Sequence, residues 1–292
     1  MNEISQNLPC NAILCRYDEI ATKGANRADF ERRLMGNIQS KLQPIGDIRV
    51  SRQRGRIIIF PPKGEETFAK QSYDKIYETL SRMFGLASFS PAIMTDASFS
   101  SIHSVIMNTF PKVYELYAQG KGSGEKLHYA MRANIKTPDF PMSAHELEVY
   151  FADQLLETYT LKVDLENPEL RVDVEIRGED AFVAYERRPG PGGLPSGSAS
   201  SLIALLSGGI DSPVACYQAM KRGSPVRFMT FHSAPYTPEA TVTNVLLFGS
   251  NGTEVLKYAL VVAINLLPLQ KAIRDNCNPR LRTVLYRRMM MR

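Results

Sequence analysis

The sequence lacks any run of about 18 apolar residues, so no membrane span is predicted among its 292 residues. Its longest apolar stretch, Tyr258 to Leu267, is interrupted by Asn265 and reads as a buried strand and its exit. The opening MNEISQNLPC has neither a basic region nor an apolar core, so no secretion signal is expected. The four cysteines, Cys10, Cys15, Cys216 and Cys277, form no CxxC pair. That spacing argues against a thiolate metal site or a disulfide framework and fits a reducing, cytoplasmic setting. Charge of one sign is not in large excess. The net +5 permits an acidic partner such as RNA without requiring one.

What is present is typical of soluble globular domains: 44% apolar and 22% charged residues, in a length that suggests two or three domains. NAILCRY reads as a strand. ADFERRLMGNIQSKL reads as a helix with Phe30, Leu34, Ile38 and Leu42 on one face. DIRVSRQ and GRIIIF form a strand pair around Gly55, EETFAKQSYDKIYETLSRMF a second helix, and LASFSPAIM an edge strand carrying a proline. The order β-α-β-β-α-β is ferredoxin-like.

A second small α/β unit follows. SIHSVIMNTFPKVYELYAQ is helical with a break or fresh start near Pro111. KLHYAMRANI is a strand, and SAHELEVYFADQLLETY a helix opened by a Ser143–Glu146 capping box. LRVDVEIR alternates strictly, GED turns and AFVAYE returns. RRPGPGGLPSGSASS has no periodicity and reads as a linker or surface loop. Beyond it, apolar strands alternate with helices, which predicts a parallel sheet covered on both faces, although only about three strands are present.

The stretch LIALLSGGIDSPVACYQAMKRG carries the chemistry. A strand passes to a helix through two glycines, and no lysine is present of the kind a Walker loop uses on the β- and γ-phosphates. SGGIDS instead supplies the hydroxyls of Ser207 and Ser212, backbone at Gly208 and Gly209, and the carboxylate of Asp211. Such a corner suits attack at the α-phosphate of ATP, with pyrophosphate held by backbone and hydroxyls at a helix N-terminus. A carboxylate there is compatible with phosphate only through a cation, hence Mg²⁺. The competing reading is an ordinary βα turn with Ser212 as N-cap and Pro213 at N1.

SGGIDSPVA resembles the PP-loop of the ATP pyrophosphatases. RYDEIATKGANRADFE, FGLASFSPA, LRVDVEIRGEDAFV, RRPGPGGLPSG, FHSAPYT and RRMMMR occur in the order found in the tRNA 4-thiouridine synthetase (ThiI) family. The resemblance covers roughly Ala12 to Arg292. It implies a multidomain α/β and α+β protein: a ferredoxin-like domain over 1–78, a THUMP RNA-binding domain over 79–187, and a doubly wound PP-loop domain over 188–292 that would continue beyond RRMMMR. It implies an ATP-dependent sulfurtransferase that adenylates uridine 8 of tRNA. Sulfur would come as a persulfide from a cysteine desulfurase, and the thiazole of thiamine would be a second destination, through a sulfur-carrier protein.

Carried over by resemblance, Leu205 and Leu206 end the strand beneath the nucleotide. Ser207, Gly208, Gly209, Asp211 and Ser212 form the loop, with Asp211 the catalytic residue. Thr230 and Phe231 hold the nucleotide-contacting dipeptide, although the family more often has histidine where Thr230 stands. Arg287 matches an ATP-contacting arginine. For RNA, Arg132 and Lys136 rank first, then Lys121 and Lys126; Arg52, Arg54, Arg56, Lys23 and Arg27 are further scattered cations. Lone His232 is given no role, Cys216 reads as packing, and Cys277 does not match the family's sulfur-carrying cysteine. The apolar segment near 239–250 departs from the charged helix usual in the family. Two other functions stay open: a PP-loop ligase acting on a small molecule, and a non-catalytic tRNA-binding module. A homodimer is compatible with the sequence.

Overall fold

The computed structural model describes residues 3–53, 55–122, 124–207, 209–236 and 261–291. Arg54, Gly208, the apolar segment 239–250 and the helix expected near 238–248 lie outside the described residues. The chain divides into two compact units, Met1–Gly193 and Leu194–Arg292.

The first unit is built on one mixed sheet. β1 (Ala12–Arg16) leads to α2 (Arg27–Leu42), after a short α1 (Glu3–Asn7). The hairpin β2 (Ile48–Gln53) and β3 (Arg56–Pro62) follows, then α3 (Ser72–Ser81) and β4 (Ser88–Asp96). The order β2-β3-β1-β4, with all neighbours antiparallel, is the ferredoxin-like arrangement expected from the element order. Helix α4 (Phe99–Ala118) opens the next segment. It continues with β5 (Leu127–Ile135), α5 (Ala144–Thr158), β6 (Leu161–Val163), β7 (Leu170–Arg177) and β8 (Asp180–Ala184).

These strands extend the same sheet through β4. Its first half pairs with β1, from Ser88 opposite Arg16 to Ala92 opposite Ala12. Its second half pairs with β8, from Ile93 opposite Val183 to Asp96 opposite Asp180. β4 is therefore not an edge strand, as LASFSPAIM suggested. Pro91 is tolerated because it falls between the two partners on that side, after the short β9 (Arg188–Pro189) at Ser88–Phe89 and before β8.

All the long helices of this unit pack on one sheet face. Leu34, Ile38, Tyr73, Ile76, Ile106, Phe110, Leu147 and Phe151 meet Ile13, Ile57, Ile59, Phe89, Val174 and Ile176 in one buried cluster. Each such side chain contributes roughly 1.5–3 kcal/mol of burial. This contact explains why α4 runs unbroken through Pro111. Ile102, Ile106, Phe110 and Val113 are buried on both sides of the proline, so packing holds the axis that the ring would otherwise interrupt. The Ser143–Glu146 capping box forms as expected.

The glycine-rich RRPGPGG is not a free linker. Gly190 N–H donates to Ala87 O at 2.9 Å and Gly192 N–H to Leu86 O at 2.7 Å. A Cβ on Gly190 would lie 2.3 Å from Leu86 O, so only glycine allows this approach. LPSGSAS is likewise pinned within the second unit, where Gly197 and Ala199 N–H both donate to Gly223 O.

The second unit contains three parallel strands in the order β10 (Leu202–Leu205), β11 (Val226–His232), β12 (Val261–Asn265). Helix α6 (Asp211–Lys221) joins the first two, and α7 (Leu267–Asn276) and α8 (Arg282–Met290) follow the third. The expected burial on both faces is not seen among the described residues: Ile203 is 62% and Val262 43% exposed. No described helix is long and apolar enough to cross a membrane.

Candidate functional site

Two places carry the candidate residues, one in each unit. In the second unit, Leu205 ends β10 and Leu206 is buried beside it. The chain turns through Ser207 and Gly209 into α6. The turn is not the ordinary capped one. Ile210 stands at the N-cap, is 80% exposed and supplies no side-chain hydrogen bond, and Asp211, not Ser212, follows as the first helical residue. A stability-optimised helix start would place Ser, Thr, Asp or Asn there, worth about 1 kcal/mol. The amino end of α6 is thus left without a side-chain cap of its own.

Ser212 instead reaches backwards. Its Oγ accepts the Ser207 N–H at 2.9 Å and lies 3.0 Å from Ser207 Oγ. Gly209 N–H points to Ser207 Oγ at 3.4 Å, and a Cβ on Gly209 would meet nothing closer than that hydroxyl, at 3.7 Å. No side chain fills the corner at Gly209. Asp211 is exposed and makes no ion pair among the described residues. Those residues hold no group of three His, Cys, Asp or Glu able to bind a metal alone. A single exposed carboxylate fits Mg²⁺ that takes most of its ligands from phosphate and water.

Thr230 and Phe231 lie towards the C-terminal end of the central strand β11, where open parallel sheets bind ligands. Thr230 is buried and Phe231 half-buried. Arg287 is exposed on α8 and, among the described residues, takes no part in the loop's hydrogen bonds.

In the first unit, the sheet face away from the helices carries a small apolar cluster around Leu14, Ile58 and Phe182, and beside it a buried polar network. Glu175 binds three guanidinium groups: Arg16 at 2.6 Å, Arg56 at 3.1 Å and Arg177 at 3.0 Å. Burial pushes this carboxyl up, but the three charges outweigh it and hold its pKa below the usual carboxylate value. Glu31, also buried, accepts from the Tyr17 hydroxyl, Arg27 and Arg52. Between these two clusters lies a cavity of about 320 Å³ lined by Tyr17, Arg27, Arg56, Asn134, Lys136 and Arg177, and by no Asp or Glu among the described residues.

Arg132 lies on β5 and Lys136 directly follows it, and Lys136 opens onto this cavity. Arg132 donates to Leu165 O at 2.9 Å. Lys121 is placed differently: Glu125 and Glu169 lie at 3.3 and 2.8 Å, so its charge is offset within the protein. Lys126 is exposed. The sequence reading passed over Arg16, Arg177, Glu175 and Glu31. LRVDVEIR alternates strictly, the pattern of a half-exposed strand, yet Asp173, Glu175 and Arg177 are all buried. The available signal was the run of charged residues at every second position, R-x-D-x-E-x-R, from Arg171 to Arg177.

Family models match three successive segments: the ThiI ferredoxin-like domain over residues 12–90, the THUMP domain over 110–186, and "Thiamine biosynthesis protein (ThiI)" over 197–292. A protein of Lachnospira eligens named "Probable tRNA sulfurtransferase" is 32% identical over 284 residues, covering 96% of this chain and 69% of that protein. One of the same name from Alkaliphilus metalliredigens is 34% identical, covering 97% and 68%.

The chain belongs to the tRNA sulfurtransferase (ThiI) family.

Among solved structures, a 4-thiouridine synthetase in complex with RNA and bound ATP superposes with a TM-score of 0.71 at 27% identity, covering 97% of this chain and 69% of that one. PH1313 from Pyrococcus horikoshii gives 0.69 at 26% identity, covering 91% and 82%. Membership of the ThiI family makes this chain one of a family of transferases, and the SGGIDS corner lies within its ThiI segment.

Proposed function

We propose that this chain is an ATP-dependent tRNA sulfurtransferase that converts uridine 8 to 4-thiouridine. The carrying observation is the open corner at Gly209, where α6 begins without a side-chain cap. Backbone amides there hold the pyrophosphate that leaves when O4 of uridine attacks the α-phosphorus of ATP. Asp211 would hold Mg²⁺, which would offset phosphate charge there, and the backbone at Thr230 and Phe231 contacts adenine. Arg287 adds a cation to the nucleotide. The terminal sulfur of a persulfide delivered by a cysteine desulfurase then attacks C4 and AMP departs; a reducing thiol cleaves the remaining S–S bond, leaving the sulfur on C4 and a disulfide on the donor side. A ThiI-type relative that binds RNA and ATP together supports pairing these two substrates. The same persulfide would serve thiamine thiazole synthesis through a sulfur-carrier protein.

The RNA is held on the first unit, with Lys136 and the arginines of the cavity as phosphate contacts, Arg132 and Lys126 at its margin, and Lys121 contributing least.

The test is AMP formation from ATP with unmodified tRNA and a sulfide donor. Asp211→Ala should abolish AMP release and leave tRNA affinity unchanged. Loss of tRNA affinity instead would put the site in the wrong unit. AMP formation without tRNA would favour a small-molecule ligase, and tight tRNA binding with no AMP from the unmodified chain would favour a binding module.

A further inference from the structure

We propose that Glu175 is a positioning residue for RNA: a single buried carboxylate that fixes Arg56 and Arg177 as a preset pair at the cavity between β3, β5 and β7. This rests on the reading of that cavity as the RNA site.

Both carboxylate oxygens are engaged. Oε1 takes Arg16 through Nε and Nη2, each at 2.6 Å. Oε2 takes Arg56 Nε at 3.1 Å and Arg177 Nε and Nη2 at 3.1 and 3.0 Å. Arg16 does not line the cavity; it is held on its far side by Ser90 Oγ at 2.8 Å and acts as the anchor. Arg56 and Arg177 do line it. The Arg56 fork is fixed at a second point, Nη1 to Gly55 O at 3.0 Å.

One carboxylate against three guanidiniums is a poor arrangement for stability alone. The Arg16 side chain is only 6% exposed and shares its carboxylate with two further guanidiniums, and desolvating a charge on a shared partner is unfavourable. Asp173, two residues away, does not relieve the excess, because Arg171 occupies it at 2.7 Å. Arg187 adds a further cation nearby, on Ser88 Oγ. Burial and the neighbouring charges of Arg177 and Arg16, partly offset by Glu175, pull the Arg56 guanidinium below its ordinary pKa. An arriving phosphate brings negative charge to a cavity lined by Arg27, Arg56, Lys136 and Arg177. Fixed guanidinium forks lose little entropy on meeting it, which is what prior positioning contributes to binding.

The proposal predicts a sign that simple electrostatics does not. Glu175→Gln removes a negative charge beside the cavity, so counterion release alone predicts tighter RNA binding. Loss of positioning predicts weaker binding, by about tenfold, because two phosphate-reading arginines lose their alignment. The experiment measures the Kd of unmodified tRNA for the full chain, Glu175→Gln and Lys136→Ala across a salt series, with circular dichroism on each protein. The expected result is weaker binding by Glu175→Gln with the fold retained. If Glu175→Gln is unfolded, Glu175→Asp, which keeps the charge on a shorter arm, is read for the same loss. Binding by the folded variant as tight as the parent's, or tighter, overturns the positioning role. If Lys136→Ala weakens binding and the Glu175 variant does not, the positioning proposal alone fails. If Lys136→Ala also leaves binding unchanged, the RNA reading of the cavity fails with it.

Discussion

Ser212 Oγ lies 2.9 Å from the Ser207 amide and 3.0 Å from Ser207 Oγ, tying the first turn of α6 back to the end of β10. Beside this clasp, a Cβ on Gly209 would meet nothing closer than the Ser207 hydroxyl, at 3.7 Å. Ser212→Ala removes a hydrogen bond worth about 1 kcal/mol. It also loosens the donors that would face the leaving pyrophosphate, so AMP formation is expected to fall by about a hundredfold. Affinity for tRNA should not change. AMP release and tRNA binding, measured on one preparation, check both statements; full AMP formation by Ser212→Ala would show that the clasp has no part in turnover.

A second expectation concerns acid. Burial pushes the Glu31 carboxyl up, but the Tyr17 hydroxyl and the Arg27 and Arg52 guanidiniums outweigh it, so its pKa lies below the ordinary value. A carboxyl depressed in the folded state stabilises above its unfolded pKa, about 4.3, and that contribution is lost as pH falls further. Glu31→Gln should therefore lower stability at pH 7, by about 1–3 kcal/mol. The gap between parent and variant should narrow as pH drops below about 4. Thermal melts of both proteins from pH 7 to pH 3 read this directly, and a gap that widens on acidification would contradict it.

The thiols should separate by burial. Cys10 and Cys15 are pushed up to about 12 by desolvation, and Cys216 is raised for the same reason. Cys277 is half-buried. Iodoacetamide at pH 8 on the native chain should modify Cys277 first, with Cys10 and Cys15 labelled only on unfolding. Peptide mapping after a timed reaction gives the order. Early labelling of Cys10 would mean that the first unit opens locally around β1.

Where local chemistry determines local structure, the sequence was readable. Ser143 and Glu146 sit three residues apart and form the reciprocal cap their spacing implies. The ferredoxin-like order followed from the alternation of periods alone. Three features escaped the sequence because the deciding partner is far along the chain. Pro111 does not break α4, since Ile106 and Phe110 pack on the sheet before it and Val113 after it. Asp173, Glu175 and Arg177 are buried although their strand alternates like a half-exposed one, and for Glu175 the partners that permit this, Arg16 and Arg56, lie more than a hundred residues earlier. RRPGPGG looks like a linker because glycine and proline give no period, yet its glycines seat on Leu86 and Ala87. At the SGGIDS corner the motif named the residues, but not that Ser212 would close the turn or that Ile210 would occupy the cap.

The divided pairing of β4 has a consequence for inheritance. Because Ser88–Ala92 hydrogen-bonds to β1 and Ile93–Asp96 to β8, a gene carrying either neighbouring segment alone would encode half a strand with its amides bare to water. A cut within those nine residues would part a strand that both neighbouring segments use, leaving unpaired edges on each piece.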